Sequence, residues 1–149
     1  MDTLENLYRQ IIMDHYKNPR HKGLVDDPLY VTKHIKNPSC GDDITIQSLV
    51  REDIVEDVRH DGRGCSICCS SASVLASLMI GKTEHEAMTL TENYLNMITG
   101  KPFDQARDLE DALAYQGVTK FPARMKCATI AWQAFGATLN KKAGETDEQ

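Results

Sequence analysis

Apolar side chains near the start of the chain recur with a helical period. Leu4, Leu7, Tyr8, Ile11, Ile12 and His15 fall at i, i+3, i+4, i+7, i+8 and i+11, one stripe of an N-terminal helix that Asn18-Pro19 stops. From His21 to Pro28 there is no period and several turn residues, so a loop is predicted, leading into an extended segment over Tyr30 to Lys36. Asn37-Pro38-Ser39-Cys40-Gly41-Asp42 is a turn cluster. Beyond it Ile44, Ile46 and Ser48 alternate with Thr45, Gln47 and Leu49 as in a half-buried strand, and Ile54 to His60 forms a third strand after the polar turn Arg51-Glu52-Asp53. The period then changes. Ser70 to Ile80 has helical length and composition and is closed by Gly81; Thr83-Glu84-His85-Glu86 is a capping box that opens another helix with Ala87, Leu90, Tyr94, Leu95 and Ile98 inward. Gly100 and Pro102 end it. A short helix is predicted over Asp104 to Tyr115, and a last one from Pro122 with Cys127, Ile130, Ala131, Ala134, Phe135 and Thr138 on one stripe.

One helix, three strands joined by short turns and then four helices describe an α+β domain: a small three-stranded antiparallel sheet with helices packed on one face. Residues 1–140 are expected to form this single domain, and residues 141–149 a polar, disordered tail. The chain length of 149 residues, 41% of them hydrophobic, suits one core and not two. Seventeen Lys plus Arg against 22 Asp plus Glu leave a net charge of −5, which argues against nucleic acid as a partner. The start lacks a basic segment followed by an apolar one, and no stretch approaches the roughly 18 apolar residues of a membrane span, so a cytoplasmic protein is expected.

The five cysteines, Cys40, Cys65, Cys68, Cys69 and Cys127, are odd in number and read as thiols of a reducing compartment. Cys40-Gly41-Asp42 can aim a thiol and a carboxylate at one point, although from this motif alone Asp42 capping its own turn is the more ordinary reading. Cys65 follows Gly-Arg-Gly and sits near a helix N-terminus, where exposed N–H groups favour a thiolate. With Cys68 it also forms Cys-x-x-Cys, the spacing of a dithiol redox pair, here without the βαβ context such pairs occupy. Cys69 reads as buried packing. Cys127 lies on an apolar stripe, which suggests core, but Arg124 and Lys126 beside it would stabilise a thiolate. Together Cys40, Asp42, Cys65 and Cys127 supply three soft sulfurs and one hard oxygen, a tetrahedral set for zinc or an iron–sulfur fragment that only the finished fold would assemble. The histidines, His15, His21, His34, His60 and His85, show no metal spacing and read as surface or helix-end residues. No Ser-His-Asp arrangement or phosphate loop is visible.

Four segments in order, Asp14-His15-Tyr16-Lys17-Asn18-Pro19-Arg20, Asn37-Pro38-Ser39-Cys40-Gly41-Asp42, Gly64-Cys65-Ser66-Ile67 and Lys120-Phe121-Pro122-Ala123-Arg124-Met125-Lys126-Cys127-Ala128, resemble the SufU family, over about residues 4 to 140. SufU belongs to the IscU-like group of iron–sulfur assembly proteins. Lys126, where IscU carries histidine, and the long Leu90 to Phe121 segment resemble SufU more than IscU. The resemblance implies zinc held by Cys40, Asp42, Cys65 and Cys127, and sulfur accepted from a pyridoxal-phosphate cysteine desulfurase of the SufS type. Cys127 would receive the persulfide once freed by ligand exchange, Arg124 would stabilise its thiolate, and Asp42 would be the displaceable ligand. The sulfur would pass to an iron–sulfur scaffold complex downstream. The alternatives are a scaffold that binds iron and a transient cluster on the same cysteines, and a dithiol redox protein using Cys65 and Cys68. Cys68 and Cys69 depart from the family pattern, and either is a further candidate ligand or sulfur acceptor.

Overall fold

The computed structural model describes residues 3–37, 41–104, 108–139 and, for their backbone, 146–148. In chain order the elements are α1 (Thr3–Lys17), β1 (Val31–Asn37), β2 (Asp42–Arg51), β3 (Ile54–Arg63), α2 (Ser66–Met79), α3 (Glu84–Ile98), a 3₁₀ helix (Glu110–Lys120), α4 (Pro122–Thr138) and β4 (Thr146–Glu148). The three expected strands form two antiparallel hairpins, with Val31 opposite Ser48 and Asn37 opposite Asp42 in the first. Glu52 and Asp53 both adopt positive φ, 50° and 68°, which gives the second hairpin the tight turn whose twist matches its strands. A fourth strand, which the polar tail does not suggest, adds Thr146–Glu148 parallel to β1 and makes the order β3-β2-β1-β4.

The capping box forms as the spacing predicts: Thr83 Oγ1 accepts the Glu86 N–H at 3.1 Å and the Glu86 carboxylate accepts the Thr83 N–H at 2.9 Å. The helix expected over Asp104 to Tyr115 lies elsewhere. It runs from Glu110 to Lys120 as a 3₁₀ helix, because Gly117, Val118 and Thr119 are poor α-helix formers and Asn93 grips the backbone of Asp104 through two hydrogen bonds of 2.6 and 2.7 Å.

The core lies between the sheet and helices α2 and α4. Ile44, Ile46, Val55 and Val58 meet Leu75 and Met79 of α2 and Trp132 and Phe135 of α4. Helix α4 carries more than a stripe: Ala128, Thr129 and Trp132 are buried together with Ile130, Ala131 and Phe135. It packs on β1, β2, α2, α3 and the 3₁₀ helix at once, so nearly its whole circumference is inside. Tyr94 of α3 stacks on Trp132 at 3.7 Å between centroids and donates its hydroxyl proton to Ala128 O at 2.7 Å.

Helix α1 is the least covered element. Leu4 and Leu7, on its expected apolar stripe, are 54% and 49% exposed, while Tyr8, Ile11 and Ile12 are partly buried. His15 alone is fully inside. The reading of the histidines as surface residues is therefore corrected for His15 and His60, which are both buried. His15 Nδ1 lies 2.8 Å from Ser73 Oγ and its Nε2 lies 3.3 Å from Asp111 Oδ2, joining α1 to α2 and the 3₁₀ helix. His60 Nε2 donates to Arg20 O at 2.8 Å and ties the loop after α1 to β3.

Burial holds the pKa of both His15 and His60 below the ordinary value of 6.5. The unfolded chain therefore takes up protons, as pH drops through that value, that the folded chain resists; stability is fully present above it and is lost as pH falls. The urea midpoint of the wild-type protein is expected to drop between pH 7.5 and pH 5.5. His15→Gln and His60→Gln each flatten that drop, and a slope unchanged in both variants would refute the assignment.

Candidate metal centre

The alternation of β2 turns Asp42, Ile44 and Ile46 to the same buried face, so its first residue carries a carboxylate into the edge of the core, where Asp42 is 1% exposed. Such a burial needs partners. Asp42 Oδ1 accepts the backbone N–H of Cys65 at 3.2 Å, and a Cβ added to Gly64 would stand 2.3 Å from that same oxygen. Gly64 is thus required by contact with the carboxylate.

Cys65 is the N-cap residue of α2, in extended conformation at φ −71° and ψ 169°, and its thiol makes no capping hydrogen bond. Cys127 lies in the second turn of α4, 3% exposed, with its Sγ 3.7 Å from Ala123 O. Burial pushes its thiol far above the usual cysteine range, and hydrogen bonds to Asp42 and Cys65 push it further the same way. The Cys127 thiol thus holds its proton toward Asp42 and Cys65.

One donor atom each from Asp42, Cys65 and Cys127 lies within 4.8 Å of the other two. The sheet edge, the β3-to-α2 junction and α4 supply them in turn, which is why their spacing in sequence is so long. Cys40, the remaining member of the expected set, lies outside the described residues. The donors present suit a soft divalent metal: two sulfurs and one oxygen, buried except for the half-buried Cys65, mutually repulsive when ionised, and neutralised by a bound cation.

The remaining sequence candidates are distributed differently. Arg124 and Lys126 are exposed on the first two turns of α4, and burial, Asp42 and Cys65, not these cations, are the leading influences on Cys127. The expectation that Cys69 is a buried packing residue is corrected: Cys68 is the buried thiol, near Tyr94 and Tyr115, and Cys69 is half-buried with its Sγ 3.8 Å from Gly64 O. A cavity of about 250 Å³ opens beside it, lined by Tyr16, Lys22, His60, Arg63, Gly64 and Cys69.

Sequence reading missed the chain Ser73–His15–Asp111. Its signal was the place of His15 on the apolar stripe of α1, where a polar residue must find buried partners. Ser73 is fully buried and also accepts the Arg20 N–H at 2.8 Å, so this trio is a tie between elements and offers no nucleophile to solvent. No helix among the described residues is long and apolar enough to cross a membrane.

Helices over a mainly antiparallel sheet, with thiols and a carboxylate converging from three distant segments, define an α+β protein whose candidate metal centre is assembled by tertiary structure. The chain belongs to the NifU-like N-terminal domain family, which matches residues 7–128. It is 45% identical over 142 residues to the zinc-dependent sulfurtransferase SufU of Bacillus subtilis, with 95% of each chain covered. It is 35% identical over 143 residues to the iron–sulfur cluster assembly scaffold protein IscU of Streptococcus pyogenes, covering 96% of this chain and 89% of that one. A crystal structure from Fervidobacterium islandicum, described as a putative cluster assembly scaffold protein for the SUF system, superposes with a TM-score of 0.82 at 33% identity, over 88% of this chain and 95% of that one.

Replacing Gly64 with alanine forces the Asp42 carboxylate or the β3-to-α2 junction to move, and overpacking of this kind costs about 1–3 kcal/mol. Gly64→Ala is expected to lower the urea midpoint correspondingly. Gly81→Ser, where no atom lies within 4 Å of the added Cβ and only the φ of +94° is strained, serves as the comparison. A wild-type midpoint for Gly64→Ala would show that the carboxylate is not packed there.

Proposed function

We propose that this protein is a zinc-dependent sulfur-transfer protein serving iron–sulfur cluster assembly, which accepts persulfide sulfur from a pyridoxal-phosphate cysteine desulfurase of the SufS type and passes it to a scaffold complex. The observation that carries this reading is the convergence of Asp42, Cys65 and Cys127 within 4.8 Å, with Asp42 and Cys127 buried and Cys65 half-buried. Similarity to SufU over 95% of both chains supports it. Asp42, Cys65 and Cys127, joined by Cys40, are the residues that would hold zinc. When bound, zinc supplies Lewis acidity that keeps the thiols ionised despite their burial.

The chain's own residues define the transfer. Cys127 is the acceptor, and its Sγ–H, hydrogen-bonded to Asp42, must lose its proton before the sulfur can attack. The Cys127 thiolate attacks the terminal sulfur of the partner's persulfide; a new S–S bond forms at Cys127, the partner's S–S bond breaks, and its electron pair leaves on the partner's cysteine thiolate. Nothing is oxidised or reduced overall. Arg124, one turn before Cys127 on the exposed face of α4, stabilises the thiolate in the docked state.

The scaffold reading uses the same donors and is supported by similarity to IscU. Lys126 in place of the IscU histidine favours sulfur transfer. Protein purified without added metal is expected to hold one zinc per chain and no acid-labile sulfide; iron and sulfide in near-equal amounts would establish the scaffold instead. A folded protein free of metal would move the assignment to the Cys65 and Cys68 dithiol.

Cys127→Ser is expected to fold and to accept no sulfur from the desulfurase when persulfide is read by thiol labelling and mass spectrometry. Asp42→Ala is expected to retain metal while sulfur acceptance slows about tenfold or more. Full desulfurase stimulation by Cys127→Ser contradicts the acceptor role of that residue, and unaltered transfer by Asp42→Ala contradicts the role of the carboxylate.

A further inference from the structure

We propose that Cys69 is a reserve ligand of the metal centre, positioned to replace Asp42 when the carboxylate is displaced. The inference rests on reading Asp42, Cys65 and Cys127 as metal ligands. Cys69 stands four residues after Cys65, and its backbone N–H donates to Cys65 O at 3.1 Å, so the two thiols project from one side of the first turn of α2. Gly64 links Cys69 to Asp42. The carboxylate presses on the Cα of Gly64, where an added Cβ would lie 2.3 Å from Oδ1, and the Cys69 Sγ lies 3.8 Å from the carbonyl oxygen of the same residue. Gly64 therefore borders both the carboxylate oxygen and the Cys69 sulfur.

Cys69 is outside the three-residue group as it stands, which makes it a reserve and not a resident ligand. It has room to move. The cavity of about 250 Å³ opens beside Cys69, and Gly62 and Gly64, which carry no side chain, form part of its lining. Cys68, its neighbour, is excluded: it is fully buried against the core, near Tyr94 and Tyr115. Exchange of a carboxylate for a thiolate keeps the donor count constant and makes the set softer, which a zinc-like ion favours. The centre would then hold its metal while Asp42 is released.

The test uses cobalt(II) as the probe on the full-length chain, with thiolate-to-cobalt charge-transfer absorption and chelator competition as readouts. The wild-type protein is expected to bind one cobalt per chain, and absence of that binding overturns the metal reading itself together with the inference. Asp42→Ala is expected to gain charge-transfer absorption equivalent to one added thiolate and to bind within about tenfold of wild type. Asp42→Ala/Cys69→Ser is expected to lose that gain and to bind at least tenfold more weakly than Asp42→Ala, while Cys69→Ser alone matches wild type. Identical spectra and affinities for Asp42→Ala with and without Cys69 overturn the inference and leave the metal reading standing. Alkylation of the cobalt-loaded proteins provides a readout that does not depend on the double variant folding. Cys69 is expected to react in the wild type and to be protected in Asp42→Ala, and equal reactivity in both refutes the exchange.

Discussion

A carboxylate forced into the core edge is the constraint on which the site depends. The alternation that buries Ile44 and Ile46 buries Asp42 as well, since all three share one face of β2. Removing that charge from water is unfavourable unless something compensates it, and the fold supplies three kinds of compensation: a peptide N–H from Cys65, a bare backbone surface at Gly64, and a thiol proton from Cys127. The sheet edge, the junction into α2 and the start of α4 are therefore held together by the need to satisfy one group. A site with this origin cannot form before the fold is complete, and it disappears if any of the three segments withdraws.

Much of the architecture was legible because its signals are local. Two hairpins followed from alternation and turn residues, the start of α3 from the capping box, and the start of α4 from Pro122. The 3₁₀ helix was misplaced because its position depends on Asn93 gripping Asp104 from another helix, an interaction no window of neighbouring residues contains. Strand β4 was missed for the opposite reason: its residues are polar and carry no alternation, and only the unpaired edge of β1 gives them a partner.

The site divides in the same way. Residue type and surroundings marked Asp42, Cys65 and Cys127 as chemically active, but spacings of tens of residues say nothing about convergence, and the 4.8 Å group exists only in three dimensions. Helical phase, in contrast, decides between adjacent residues. Cys68 and Cys69 are indistinguishable by composition, yet a rotation of about 100° sends one toward Tyr94 and Tyr115 and leaves the other open to the cavity. His15 and His60 were misjudged because histidine is usually amphipathic, whereas in this fold each is the buried bridge that holds an outer segment to the core.

Helix α1 is anchored unequally along its length. Leu4 and Leu7 face solvent at one end, and His15 is bolted to Ser73 and Asp111 at the other. Local opening follows the gradient of buried contact, so amide exchange along this helix is ordered, fastest at Thr3 and slowest near His15. The wall that Tyr16 contributes to the cavity beside Cys69 belongs to the slow end, so the first turns of the helix can fray and re-form while the approach to the thiol keeps its shape.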